Sequence, residues 1–379
     1  MISASLATDF PTPAELPVRA ELPDLLVMMD GTKITTREDW ETKRKPELRE
    51  LIQTYEYGRI PAGPKKLTFE TLAENPMAFG GKATLREVAI RWEDGEFALL
   101  IAIPNQRTKP APCFVGLNFN GNHAVVDDPL VRIPDGERAA KVARGQEAEA
   151  WSIEQSIDRG YAVAVFYNSE VVPDDKGAAF QRLKAFLPEG MNAEAPDAPA
   201  TIACWAWGFM RALDCLEKQP EIDGKRIAVV GHSRNGKTAI LAAAMDDRIA
   251  LAIPSQAGCG GTAPCRLNPE LAKIQANGRT IAETVKRINT SFPHWFDTNF
   301  KAFNDEVEKL PFDQHALIAL CAPRPVLVSN ATEDLWANPA GQFDMVRAAD
   351  PVYRLVAGEG CAAKEMPPGL CSTMPAAVV

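Results

Sequence analysis

The sequence predicts an α/β fold: a mostly parallel sheet between two layers of helices, preceded by antiparallel strands. Three observations lead there. Between about Leu67 and Ile103 the residues alternate in polarity, as in ATLREVAIRW and EFALLIAIP, which is the period of half-buried antiparallel strands. After Pro112, short apolar runs (CFVGLNF, YAVAVFY, RIAVVG, IALAIPS, PVLVSN) alternate with helical stretches, the texture of strands covered on both faces. In TIACWAWGFMRALDCL, Ile202, Trp205, Phe209, Ala212 and Leu216 recur on one helical face, so this helix lies on the sheet and its tryptophans belong to the core.

The elements follow in order. Residues 1–25 are Pro-rich and acidic and read as an extended lead-in; residues 26–379 read as one domain. Thr36 is a fitting N-cap for a charged amphipathic helix that runs to Tyr57, where Gly58 ends it. EIDGKR turns the chain into the strand Ile227–Val230. There is no internal repeat and no low-complexity segment.

A chain of 379 residues with 46% hydrophobic and 24% charged residues can bury a large core. Its net charge of −9 argues against nucleic acid, which needs a basic footprint. No run approaches the ~18 apolar residues of a membrane span, and MISASLATDF lacks the basic and apolar regions of a signal peptide. The eight cysteines show no C-x-x-C spacing, so buried thiols are expected rather than a zinc site. A monomer is the expected state.

VVGHSRNGKTAI carries the chemistry, and it satisfies two motifs. Gly231, Gly236, Lys237 and Thr238 complete a phosphate-binding loop, whereas Gly231 and Ser233 after an apolar strand begin a serine nucleophile elbow. A nucleotide-hydrolysing site needs a strand ending in Asp to hold magnesium. The strands after residue 231 end AIPSQAG and LVSNATED, and neither has one at its tip. The elbow motif is also imperfect, because Asn235 stands where a second glycine is usual and Gly236 follows one place later. Charge favours the elbow. Arg234 and Lys237 lie in the first turn of a helix, where the macrodipole disfavours cations by a few tenths to ~1 kcal/mol, so an anionic ligand or a developing oxyanion is expected beside them.

GHSRNGK resembles the signature of the glucuronoyl esterases, carbohydrate esterase family 15. The likeness extends through DGTKITTREDWETKRKPELRELIQTYEYGRIP, GLNFNGNHAV, INTSFPHWF, DQHALIALCAPRPVLV, EDLWANP and DPVYRLVAGEGCAAKEMP, to about residue 367, and is best with the bacterial branch. It implies an α/β-hydrolase three-layer sandwich and a serine carboxylester hydrolase acting without metal or organic cofactor. The implied substrate is the ester between 4-O-methyl-glucuronic acid on xylan and lignin alcohols. Carried over by position, Ser233 is the nucleophile and Arg234 stabilises the oxyanion. Lys237 holds sugar hydroxyls, Trp336 stacks on or hydrogen-bonds the sugar, and Glu283 lies where relatives place a Gln or Glu against it. Relatives act on plant cell wall, so export to the periplasm or outside the cell is implied.

The resemblance leaves the acid and the base open. Some relatives carry a glutamate where this chain has Gln256, an amide that cannot stabilise an imidazolium as a carboxylate does. The loop after PVLVSN offers Glu333 and Asp334 instead, and Asp334 is chosen because D-x-W resembles bacterial members using that position. In this fold the order is Ser, acid, His, yet none of the four histidines, His123, His232, His294 and His315, follows Asp334. The family's base follows KEMP in a loop and a last helix, where this chain reads PPGLCSTMPAAVV. Lys237 is a substitute base only if burial lowers its pKa strongly. A truncated or frameshifted end is the favoured explanation. The alternatives are a binding-only glucuronoxylan pseudoenzyme and a carbohydrate acetyl esterase.

Overall fold

The computed structural model describes residues 10–267, 275–276 and 279–366. The alternating segment forms three antiparallel strands, β1 (Thr68–Met77), β2 (Ala83–Trp92) and β3 (Gly95–Pro104). β4 (Ala111–Asn118), β5 (Ala162–Tyr167), β6 (Ile222–His232) and β7 (Leu251–Ser255) then extend one seven-stranded sheet, ordered β1-β2-β3-β5-β4-β6-β7. β5, β4, β6 and β7 run parallel to one another, and β3 joins β5 antiparallel. The chain leaves β4 toward one edge and returns as β6 on its other side. Such a reversal opens a crevice at the carboxyl ends of the strands, and β6 delivers Ser233 there.

The segment PVLVSN makes only two isolated bridges beside β7, Ala252 with Val326 and Ser255 with Ser329, rather than the full strand expected. Pro254 in β7 and Pro325 opposite have no N–H to donate, so the ladder is interrupted.

The principal helices are α1 (Lys45–Ile52), α2 (Ile153–Asp158), α3 (Lys176–Leu183), α4 (Thr201–Leu216), α5 (Arg234–Met245), α6 (His315–Leu320) and α7 (Pro339–Ala357). α1 is the middle of a helical run over 37–57. The Thr36 side chain accepts from the N–H of Asp39 at its start, and Gly58 stops it at φ 77°. α4 and α5 pack on one face of the sheet and form the main core. Ile202, Trp205, Phe209, Ala212 and Leu216 are all fully buried there. The indoles are anchored core groups: Trp205 Nε1 donates to Val172 O (2.8 Å) and Trp207 Nε1 to Ala62 O (2.9 Å).

The opposite face carries a smaller cluster in which α2 supplies Ile153 and Ile157. Beside it, a groove of about 590 Å³ lined by Phe114, Trp151, Val230 and Ile253 lies open over β4, β6 and β7. The lead-in packs against the core through Leu16 and Leu25, and Arg19 N–H donates to Glu308 O (2.7 Å). Among the described residues no helix is long and apolar enough to cross a membrane.

Candidate active site

Ser233 is held at φ 56°, ψ −124° between β6 and α5, a conformation that costs a non-glycine residue about 1–3 kcal/mol. Two backbone bonds fix it: its N–H donates to Ser255 O (2.9 Å) and its carbonyl accepts from Lys237 N–H (3.0 Å). The side chain stays partly exposed at the tip of the bend.

The structure explains the shifted glycine. A Cβ on Gly231 would lie 2.0 Å from Asn235 O, and one on Gly236 2.9 Å from both Gly231 O and Ser255 O. The close approaches therefore fall at the second position before Ser233 and the third after it. Asn235 fills the place between as a fully buried tie: its amide donates to Leu117 O (2.9 Å) on β4 and accepts from Asn168 (3.1 Å) after β5.

Arg234 opens α5, so its backbone N–H has no intrahelical acceptor and is available beside Ser233. Its guanidinium pairs with Asp174 and sits 4.6 Å from the Trp295 ring, 5.3 Å from Phe292 and 5.7 Å from Phe119. The other Asp174 oxygen accepts from Trp295 Nε1 (2.9 Å) and faces His294 Nε2 (3.2 Å). Burial alone would raise the pKa of Asp174, but the hydrogen bond from His294, the charge of Arg234 and the Trp295 bond together hold it at about 2. Arg234 thus keeps a permanently ionised partner and an aromatic enclosure.

Lys237 lies deeper than a surface donor. Its ammonium donates to Ala257 O (2.7 Å), Cys259 O (2.6 Å) and Glu283 Oε2 (2.6 Å), with 2% of the side chain exposed. All three protons meet protein oxygens, which leaves none for a sugar hydroxyl in this arrangement and no lone pair for base catalysis. Burial raises the Glu283 pKa, and the Lys237 ammonium opposes that. Glu283 N–H in turn donates to Trp336 O (3.0 Å), and the Arg287 guanidinium lies 4.1 Å from the centre of a half-buried Trp336 ring.

Asp334 occupies the loop beyond the Ser255–Ser329 bridge, and Glu333 beside it is exposed. Asp334 Oδ2 accepts from Gln256 Nε2 (2.6 Å), and Oδ1 caps Ala337 N–H at 3.3 Å. Gln256 immediately follows Ser255, and its own N–H donates to Ser329 O (2.8 Å). An amide therefore makes the donation to Asp334 that an imidazole N–H makes in a serine triad.

Among the described residues no histidine hydrogen-bonds Ser233. His123 is buried against Val142 O (3.1 Å), His315 against Pro23 O (2.9 Å) and His294 against Asp174, while His232 is exposed. His123 and His294 are thus nearly sealed from solvent. No group of His, Cys, Asp and Glu in the described residues is arranged to hold a metal ion.

All six candidate residues fall into one connected cluster. Ser233, Arg234 and Lys237 arrive on one bend, Glu283 through Lys237, Trp336 through Glu283, and Asp334 through Gln256. Sequence reasoning missed Asp174 and Trp295, and it weighed His294 only as a base, although His294 and Trp295 both sit inside INTSFPHWF. Asp174 lies in the turn VVPDD, whose local pattern gives no sign of a partner 60 residues away.

A family model described as fungal glucuronyl esterase matches residues 129–357. A carbohydrate esterase, MZ0003, from an unknown prokaryotic organism is 41% identical over 91% of this chain and 81% of its own length. A glucuronoyl esterase from Solibacter usitatus superposes with a TM-score of 0.83 at 36% identity, covering 94% of this chain and 90% of that one. The 4-O-methyl-glucuronoyl methylesterase of Hypocrea jecorina is 30% identical over 88% of this chain, which spans 62% of that protein. The chain belongs to the glucuronoyl esterase family, carbohydrate esterase family 15, of bacterial type and with the α/β-hydrolase fold.

Proposed function

We propose that this chain is a serine carboxylester hydrolase that cleaves 4-O-methyl-glucuronoyl esters, with the ester links between glucuronoxylan and lignin alcohols as its natural substrate. The observation that carries the reading is the strained Ser233 with the caged Arg234 directly after it. Ser233 Oγ attacks the uronate carbonyl carbon and gives up its proton to solvent, while the C=O π pair moves onto the carbonyl oxygen as an anion. Collapse of that intermediate breaks the ester C–O bond and expels the alcohol, which takes a proton from solvent. Water then hydrolyses the acyl-enzyme to the free uronate. The Arg234 backbone N–H and guanidinium receive the charge on that anionic oxygen, at a typical worth of roughly 3–4 kcal/mol per donor in the transition state. Because Asp174 already fixes the guanidinium, little reorganisation is needed as the charge forms.

Trp336 and Glu283 line the sugar side in this reading, with Lys237 holding Glu283 in place rather than meeting the sugar itself. Asp334 is the acid, with Glu333 turned to solvent. The anionic surface suits a neutral ester, which needs local oxyanion donors and no basic field. A cell-wall polymer places the reaction outside the cytoplasm.

The test is hydrolysis of benzyl glucuronate by the parent and by Ser233→Ala, with acetylated xylan as control. Release of benzyl alcohol that vanishes in the variant supports the reading. Preference for acetyl groups removes the uronate assignment, and uronate binding without turnover in the parent makes the chain a binding protein.

A further inference from the structure

The described residues include seven free cysteines, six of them buried, and their thiols are scattered with one exception. Cys259 and Cys265 bring their Sγ atoms to 3.9 Å, both nearly sealed from water. No other two thiols are in hydrogen-bonding contact among the described residues.

The local sequence produces this meeting. In AGCGGTAPCR, Gly258 and Gly260 take φ 62° and 69°, a left-handed backbone that turns the chain back on itself. Gly258 O accepts from Thr262 N–H (3.0 Å) and Ala263 N–H (2.9 Å), and Cys259 forms a backbone bridge with Ala263. The turn is also pinned from outside. Cys265 N–H donates to Asp313 Oδ1 (2.8 Å), its sulfur accepts from Gln314 Nε2 (3.3 Å), and the Tyr57 hydroxyl donates to Gly260 O (2.6 Å). Disulfide sulfurs lie about 2.05 Å apart, so each sulfur needs to move by only about 1 Å to form one. The same turn serves the candidate site, because Ala257 O and Cys259 O hold the Lys237 ammonium that pairs with Glu283.

We propose that Cys259 and Cys265 are an oxidative modification site, closed to an intramolecular disulfide by a low-molecular-weight disulfide such as oxidised glutathione. The Cys259 thiolate attacks one glutathione sulfur, the S–S bond of glutathione breaks, and one glutathione thiolate leaves. The Cys265 thiolate then attacks the Cys259 sulfur and expels the second glutathione. Two electrons pass from the cysteines to glutathione, and the two thiol protons end on the departing glutathiones. The bond closes residues 259–265 into a ring and braces the carbonyl of Cys259 against Lys237. Contact with Cys259 and burial hold the Cys265 thiol well above its ordinary pKa. The reduced pair is therefore inert while folded, and exchange takes place as the segment opens.

The full chain, warmed with mixed oxidised and reduced glutathione to just below its melting temperature, tests this. Trypsin leaves both cysteines on one peptide, residues 249–266, because no Lys or Arg lies between Arg248 and Arg266. This peptide is expected to become lighter by two hydrogens and to take no iodoacetamide after unfolding, while Cys113, Cys204, Cys215 and Cys321 are alkylated in full. Reducing the oxidised chain is expected to lower its melting temperature by about 2–5 °C. Cys265→Ala removes that dependence on reductant, whereas Cys215→Ser keeps it. Should a variant fail to fold, the peptide mass from the parent decides by itself. A peptide 249–266 that is still fully alkylated after oxidation overturns the proposal, as does one that stops at a single attached glutathione. So does a bond from either residue to another cysteine, or an oxidised chain whose melting temperature ignores reductant. None of these readouts needs a substrate, so the outcome is independent of the esterase reading.

Discussion

Asp174 and Arg234, distant in sequence, form an ion pair whose carboxylate is 3% exposed and whose guanidinium lies 4.6 Å from the Trp295 ring. Arg234, directly after Ser233, is therefore aimed by a turn from another part of the chain. Asp174→Asn is expected to lower kcat on benzyl glucuronate by about 10–100-fold with KM little changed, since a misaimed donor is felt mainly in the transition state. Steady-state kinetics check it, and an equal loss in kcat and gain in KM would place Asp174 in substrate binding instead.

The same pair sets an acid limit. The folded pKa of Asp174, about 2, lies below its ordinary 3.8, so the stabilisation is fully present above that ordinary value. It is lost as pH falls through about 2, and amounts to roughly 2 kcal/mol. Acid unfolding of Asp174→Asn, followed by circular dichroism between pH 5 and 2, should show a correspondingly flatter dependence than the parent.

Lys237 and Glu283 are both nearly sealed from water, with 2% and 5% of their side chains exposed. Lys237→Met leaves a buried carboxylate unpaired and is expected to cost about 3–5 kcal/mol. The double variant Lys237→Met/Glu283→Gln should recover part of that loss in denaturant melts. In the single variant the folded Glu283 pKa rises further, so its contribution is present at low pH and lost as pH increases through the carboxylate range. Stability should therefore fall with rising pH.

Gly236→Ala puts a methyl group 2.9 Å from two backbone oxygens that cannot move without opening the elbow. A loss of about 1–3 kcal/mol is expected from overpacking, together with loss of Ser233 labelling by a fluorophosphonate. An unchanged labelling rate would show that the bend tolerates a side chain here.

Trp336→Ala is expected to raise KM by roughly tenfold and leave kcat near the parent value, because an aromatic contact remote from the carbonyl binds ground and transition states alike. Thermal melts should shift little, since the ring is only half-buried and its main neighbour is the Arg287 guanidinium.

Much of the architecture was legible because it is local. Alternation between Leu67 and Ile103, the apolar runs after Pro112, the Thr36 cap and the Gly58 stop each depend on residues a few places apart, and the backbone follows them. The bend at Ser233 was legible for the same reason, although its third-position glycine made sense only once Gly231, Gly236 and Ser255 were seen to meet. What surrounds the bend depends on long-range packing. Asp174 arrives from the turn before α3, His294 and Trp295 from the loop after residue 291, and Gln256 claims Asp334 across two strand ends. No short-range periodicity encodes these meetings, because side-chain charge and ring geometry become specific only after the sheet has brought their loops together. The sequence by itself determined the elements, the bend that carries Ser233 and its cationic flank. Tertiary structure alone decided that the guanidinium is caged, that the Lys237 ammonium is buried among oxygens, and that the Gln256 amide occupies the Asp334 carboxylate.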